Sequence, residues 1–289
     1  MIPLAYGTYG LADMSPWDAI ELISATGYDG VELTLADGYK NASPRLSREE
    51  SSKTRARLDA TGLDLVGVLA KLQILSAEGE VSSTVRDDLL EVIGSGLSLS
   101  PRDPLIVTFT MGGRSAQWPA GGAELVDVLG TLGTTAASEG VVLAVEAHVG
   151  GLIDRPDRVR WLIDQVGLES VRINFDISHF TLPGLQYDTN ELIEDLVPLA
   201  VHAHVKDSVR TATGFQFVLP GDGAFDYPGY FAGMIAAGWH RPVTVEVSAM
   251  VFSQPNYDPV HAAESSYRAL SGARAIAQEK FTSRDGAAE

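Results

Sequence analysis

Four stretches of the 289-residue chain place acids and imidazoles where apolar, β-rich runs come to an end. Glu146 and His148 close VLAVEAH. Asn174 and Asp176 lie in VRINFDISHF with His179 just beyond, His202, His204 and Lys206 fall on alternate positions of VHAHVKD, and Glu246 stands in PVTVEVS. Side chains alternate along a strand, so residues two apart share a face. If those faces meet, three carboxylates (Glu146, Asp176, Glu246) and at least one imidazole converge, and Lys206 alone does not offset their repulsion. Carboxylates mixed with histidine suit one hard-to-borderline divalent ion, Mn²⁺ first and Mg²⁺ or Co²⁺ next, with water or substrate oxygens completing its shell.

Such residues converge only if the strands that carry them lie side by side and end at one rim. Eight β-rich runs start near residues 2, 30, 64, 105, 142, 171, 201 and 242, a spacing of 28 to 41 residues that fits one strand plus one crossover helix per unit. Between them lie segments with helix signals. SPWDAIELISATG at 15–27 offers a Ser N-cap, Pro at the first position and Gly at the end, and further helices are expected at 46–62, 81–99 and 189–200. Eight such units predict an α/β protein, a single (β/α)8 TIM barrel over 1–280 with a polar C-terminal tail over 281–289. In such a barrel the catalytic groups sit at the strand C-termini. An open doubly wound sheet is the alternative, but no Gly-x-Gly-x-x-Gly turn follows the first run. A lone strand-end acid or histidine is ordinarily structural or solvated, and His240 in GWHRPV and His261 in DPVHAAE are read that way. Glu146, Asp176, His204 and Glu246 differ because they fall at the same end of four consecutive strands.

Composition narrows the function classes. The formal net charge of −17 with one modest basic cluster, KTRAR at 53–57, argues against a nucleic-acid partner. No apolar run approaches the roughly 20 residues of a membrane span, and no basic stretch precedes an apolar one near residue 1, so a cytoplasmic protein without a membrane partner is expected. There is no cysteine, hence no thiolate nucleophile and no Cys-ligated zinc.

The motifs GYDGVEL, VEAHVG, NFDISHF, HAHVKDSVR, GDGAFDYPGYF and VTVEVS, in this order, resemble the xylose-isomerase-like sugar phosphate isomerases and epimerases, a superfamily that includes tagatose 3-epimerase, inosose dehydratase and endonuclease IV. The resemblance spans nearly the whole chain. In the ketose 3-epimerases of that family one metal is held by a Glu, an Asp, a His and a Glu on strands 5 to 8, which match Glu146, Asp176, His204 and Glu246. The family's substrate-contacting His three residues after the Asp matches His179, and its Arg six residues after the ligand His matches Arg210. That double match selects His204 over His202 as the ligand. Strand geometry agrees, because the later histidine sits nearer the rim and His202 lies roughly 6 to 7 Å deeper, as a supporting residue. Lys206 is expected near the opening, either paired with Glu32 across the barrel or solvated.

The resemblance implies a divalent-metal-dependent sugar isomerase or epimerase that abstracts a proton next to a carbonyl through a metal-stabilised enediolate, with Glu146 and Glu246 alternating as acid and base. His148 is an additional acid or base, or a hydrogen-bonding support. One departure stands out: the epimerases carry a substrate-contacting Glu six residues after the strand 5 Glu, and here that position is Leu152. Dehydration of an inosose-type keto-polyol and cleavage of a 3-keto-C-glycoside use the same apparatus and remain open. So does a non-catalytic sugar-binding barrel or accessory subunit. The segment GFQFVLPGDGAFDYPGYF after strand 7 reads as a lid with Gln216, Phe215 and Phe217 as substrate contacts, or as a hairpin flap or oligomer contact. Endonuclease IV relatives need histidines from the first half of the barrel, and the first histidine here is His148. The expected partner is a small carbohydrate, and a homo-oligomer is possible by analogy with relatives.

Overall fold

A computed structural model describes residues 1–37, 44–99 and 104–285, with side chains described as far as 281. Eight parallel strands close a barrel in the order β1, β10, β7, β6, β5, β4, β3, β2. They are β1 (Leu4–Gly7), β2 (Gly30–Leu35), β3 (Asp64–Ala70), β4 (Leu105–Thr110), β5 (Val141–Glu146), β6 (Val171–Asp176), β7 (Ala200–Val205) and β10 (Val243–Val245). An antiparallel hairpin, β8 (Asp207–Thr211) and β9 (Gly214–Val218), is inserted after β7. The longer crossover helices are α1 (Pro16–Thr26), α2 (Arg48–Thr61), α3 (Val85–Leu99), α4 (Ala120–Ser138), α5 (Pro156–Val166), α6 (Thr189–Leu196) and α7 (Tyr227–Ala236). A short α8 (Ala249–Phe252) and a long α9 (Pro259–Asp285) complete the chain. The single (β/α)8 barrel expected from the spacing is thus the observed architecture.

Local chemistry explains these boundaries. Ser15 caps α1 by accepting from Asp18 N–H, and Gly27 ends it at φ 106°, a left-handed conformation that costs glycine little. Ser47 and Glu50 form a reciprocal capping box on α2. The helix expected at 81–99 begins later, at Val85, because Val81 is drawn into a bridge with Leu75. The one expected at 189–200 tightens into a 3-10 turn at Val197–Leu199, where Pro198 lacks the N–H that would continue it. The strands are shorter than the apolar runs suggest. After β1 the chain turns at Thr8–Leu11, and after β6 it turns at Ile177–His179, so the residues that follow each strand fold over the rim. Helix α9 runs through Asp285, and residues 286–289 lie outside the described residues.

Every residue of β2 is buried, and Leu4, Tyr6, Val31, Val68, Val107, Leu143 and Val205 belong to one apolar core. Fully buried strands are what a sheet covered on its outer face by helices demands. Burying polar groups inside such a sheet is costly unless each finds a partner, which makes the polar residues on β2, β5, β6 and β7 conspicuous.

Candidate active site

Strand pairing brings the acids and imidazoles together. Asp176 lies opposite His204, Asn174 opposite His202, and Glu146 opposite Asn174, so β5, β6 and β7 present their polar residues at neighbouring levels. Glu246 follows β10 directly, where its N–H donates to Val205 O at 3.1 Å and extends the ladder to β7. One ligand atom from each of Glu146, Asp176, His204 and Glu246 lies within 4.8 Å of the others. Asp176 and His204 are 1% and 0% exposed, and Glu246 is half-buried at the rim.

Hydrogen bonds orient each member. Asn174 Nδ2 donates to Glu146 Oε2 at 2.7 Å and approaches His204 Nδ1 at 2.9 Å, while that nitrogen lies 3.1 Å from Glu146 Oε2. Ser178 N–H donates to Asp176 Oδ1 at 2.9 Å. The Ser178 hydroxyl donates to Lys206 O at 2.6 Å and accepts from Lys206 N–H at 2.8 Å, locking the end of β7 to the turn after β6. The Lys206 ammonium is buried between Asp176 and Glu246 and bonds to both, with the Phe217 ring 5.1 Å from its nitrogen. Of the two placements open from sequence, neither is observed: Lys206 does not pair with Glu32, and at 4% exposed it is not solvated. Glu32 sits deeper, where His204 Nε2 lies 2.9 Å and His202 Nε2 3.2 Å from its oxygens and Thr108 Oγ1 donates to it at 2.7 Å. His202 thus lies below the cluster, beside Glu32.

Electrostatics follow from burial opposed by charge pairing. Burial raises the Glu146 carboxyl, but Lys206, then His179 and His204, hold it well below its usual range. Asp176 is likewise lowered against burial, chiefly by Lys206. Glu246 goes the other way: burial dominates and Glu146 adds repulsion, so it stays raised despite Lys206. Burial would lower His204, yet Glu32 and Glu146 raise it well above its ordinary value. Burial lowers His179, with Lys206 adding to the effect.

The cluster floors a cavity of about 550 Å³ at the strand C-termini. Of the four grouped residues, Glu146 and Glu246 line it, while Asp176 and His204 lie behind. His148 also lines it but is exposed at the mouth, its Nδ1 3.0 Å from Val149 O and its ring centroid 4.2 Å from that of His179. His179 is 1% exposed; its Nε2 lies 3.3 Å from Glu146 Oε1 and its Nδ1 accepts from Val149 N–H at 3.3 Å, so it faces the carboxylates more than the opening. Arg210 and Gln216 are not among the described residues lining the cavity. They sit on the β8–β9 hairpin, Arg210 opposite Phe215 and Gln216 opposite Val209, while Phe217 supplies the wall. Asp207 anchors this hairpin by accepting from Gly221 and Gly223 N–H at 3.3 and 3.1 Å, and a side chain at Gly223 would collide with its carboxylate at 2.0 Å. Leu152 is fully buried under the β5 loop. Tyr9, Lys71, Gln73 and Ser248 line the mouth as well. They lie one to three residues beyond β1, β3 and β10, so reading strand ends a few residues further would have found Tyr9, Lys71 and Gln73 in the first half of the barrel and Ser248 after its last strand.

The donor set fits a divalent ion. Three carboxylates and one imidazole converge within bonding reach of a common centre, and Lys206 contributes a single positive charge against them. Among the described residues Asn174 Oδ1 is buried beside the cluster without a hydrogen-bond partner, so its surroundings are not fully satisfied by protein groups.

A carboxylate-rich cluster at the C-terminal mouth of a (β/α)8 barrel defines the class of protein. Residues 20–271 match the xylose isomerase-like TIM barrel family, and the chain belongs to it. An inosose dehydratase from Geobacillus thermodenitrificans is 24% identical over 137 residues, which is 42% of this chain and 45% of that protein, so the match spans about half of the curated relative's length. Among solved structures, a 3-keto-D-glucoside 4-epimerase from E. coli superposes with a TM-score of 0.73 at 16% identity, covering 94% of this chain and 100% of the other. An L-ribulose 3-epimerase gives 0.74 at 17% identity over 98% and 97% of the two chains. A xylose isomerase-like barrel from Mycobacterium smegmatis in complex with magnesium gives 0.69 at 15% identity over 96% and 98%. At these identities the likeness establishes the shared barrel. No described helix is long and apolar enough to cross a membrane.

Proposed function

We propose that this chain is a divalent-metal-dependent enzyme that removes and returns a proton at a carbon next to the carbonyl of a keto sugar or related polyol, as an isomerase or epimerase does. The observation that carries the reading is the grouping of Glu146, Asp176, His204 and Glu246 within 4.8 Å at the floor of an open cavity. A divalent ion, when bound, polarises the carbonyl and offsets the negative charge that proton removal creates. Mn²⁺ is the first candidate, with Mg²⁺ or Co²⁺ next.

Glu146 ends β5 and Glu246 follows β10, two strands separated by β6 and β7, and both face the cavity, so a substrate between them meets a carboxylate on either side. Their environments push them apart, Glu146 down and Glu246 up, which suits one to accept a proton while the other supplies one. Asn174 holds Glu146 Oε2, and Oε1 faces His179 Nε2 at 3.3 Å, so both oxygens of this carboxylate are oriented by neighbours. Lys206 holds Glu246 Oε2 and, with Phe217, closes one wall. His148 at the mouth is an acid or base for a hydroxyl farther along the substrate. His179 positions Glu146, and Arg210 and Gln216 act only on substrate parts that reach the hairpin.

Loss of a β-hydroxyl after the same proton removal is the second reading, and the inosose dehydratase match favours it. The test is solvent deuterium exchange into a panel of ketoses, inososes and 3-keto-glycosides, with wild-type protein and Glu246→Gln loaded with Mn²⁺. Exchange abolished in the variant supports the reading; a metal-loaded wild type that exchanges no substrate in the panel points to a sugar-binding barrel instead.

A further inference from the structure

Glu32 takes no part in the proton transfer proposed above, yet it is 1% exposed inside a strand whose every residue is buried. A carboxylate so placed is costly unless its partners are fixed. Its partners are Thr108 Oγ1 at 2.7 Å, His204 Nε2 at 2.9 Å and His202 Nε2 at 3.2 Å. Gly7 allows this approach, since a side-chain carbon there would lie 3.3 Å from Glu32 Oε2. The two nitrogens of His204 thus face different company. Nε2 meets a single carboxylate, Glu32, away from the cluster, whereas Nδ1 faces the cluster, with the donor Nδ2 of Asn174 at 2.9 Å and Glu146 Oε2 at 3.1 Å.

We propose that Glu32 is a positioning residue that fixes the ring angle and tautomer of His204, keeping the proton on Nε2 so that Nδ1 presents its lone pair toward Glu146, Asp176 and Glu246. In neutral imidazole one nitrogen carries the proton and the other accepts, and the hydrogen bond made by the first decides which is free to ligate. Thr108 and His202 hold Glu32 in turn, so the arrangement runs through β4, β2 and β7. This inference rests on the proposed metal site. Groups that orient ligating histidines commonly change metal affinity 10- to 100-fold when removed.

The test uses Mn²⁺ binding followed by electron paramagnetic resonance, and long-range ¹H–¹⁵N spectra of the Mg²⁺-loaded full chain with His204 assigned by His204→Gln. Wild type should show the Nε2–H tautomer, and Glu32→Gln should bind Mn²⁺ about 10- to 100-fold more weakly while remaining folded. A merely structural role for Glu32 would move the melting temperature and leave the tautomer and the affinity alone. Thr108→Val, which removes the hydroxyl that orients Glu32, should weaken Mn²⁺ binding several-fold and decides the matter if Glu32→Gln does not fold. An Nδ1–H tautomer in the loaded protein, or unchanged Mn²⁺ affinity in the folded variants, overturns the role of Glu32 alone. A wild type that binds neither ion overturns the metal site and this inference together.

Discussion

Removing Lys206 isolates the charge balance on which the site depends. This ammonium is 4% exposed and lies against Asp176 and Glu246, with Glu146 close enough to be held down by it. Lys206→Met keeps the length of the stem but leaves the carboxylates without their cation. Breaking a buried pair by removing one partner costs about 3–5 kcal/mol. For 289 residues, at about 2.1 cal/mol/K of unfolding entropy per residue, that is a fall of about 5–8 °C in melting temperature. A bound divalent ion supplies the missing charge, so most of the gap should close in excess Mn²⁺. It should also narrow as pH falls. Without Lys206 the carboxyls rise in the folded state above their unfolded values, and that penalty applies at high pH and disappears as they protonate. Thermal melts followed by circular dichroism, in EDTA and in Mn²⁺ at several pH values, measure all of this. Equal melting of wild type and variant in EDTA, or a gap that persists undiminished in Mn²⁺, would refute the reasoning.

Other consequences are simpler to state. Because Glu32 and Glu146 raise His204 above its ordinary value, metal binding should displace a proton from it; calorimetry in buffers of different ionisation enthalpy should show a release that declines as pH climbs through the folded-state value. The same shift contributes stability to the metal-free fold that is complete below the ordinary histidine range and lost on going upward. Leu152→Glu restores the residue type of the ketose epimerases, but Leu152 is 0% exposed, so denaturant unfolding should show a loss of several kcal/mol and no new epimerase activity. Phe217→Ala removes a cavity wall that also packs on His179 and Lys206. Kinetics on whichever substrate exchanges deuterium should show a raised KM with a smaller change in kcat, and an unchanged KM would argue that Phe217 does not meet substrate.

Much of the barrel was legible because its signals are local and repeated: an apolar run, a cap such as Ser15 or Ser47, a helix, a terminating glycine. The C-terminal half of the candidate site was legible for the same reason, since Glu146, Asp176, His204 and Glu246 each stand within a residue of the C-terminal end of an apolar strand. What escaped depends on distances between strands that are far apart in sequence. Opposite charge left a pairing of Lys206 with Glu32 open, but the two lie at different levels of the barrel. His204 and His202 reach down to Glu32, while Lys206, one pleat higher, reaches sideways to Asp176 and Glu246. Register along the chain says that His202, His204 and Lys206 share a face; only the closed barrel says which neighbour each one meets. Arg210 and Gln216 show the opposite difficulty, because the hairpin that carries them leaves the barrel altogether and strand-end reasoning does not reach it.

The central claim, that these residues hold a divalent ion, is tested most directly by metal content and Mn²⁺ titration of chelator-stripped wild type beside Asp176→Asn. Asp176 is buried and does not line the cavity, so its loss should leave the substrate walls in place. A single ion per chain on wild type, with affinity reduced more than about 100-fold in a folded Asp176→Asn, is the expected result. A wild type that takes up no Mn²⁺, Mg²⁺ or Co²⁺, or a variant that binds as well as wild type, would contradict it.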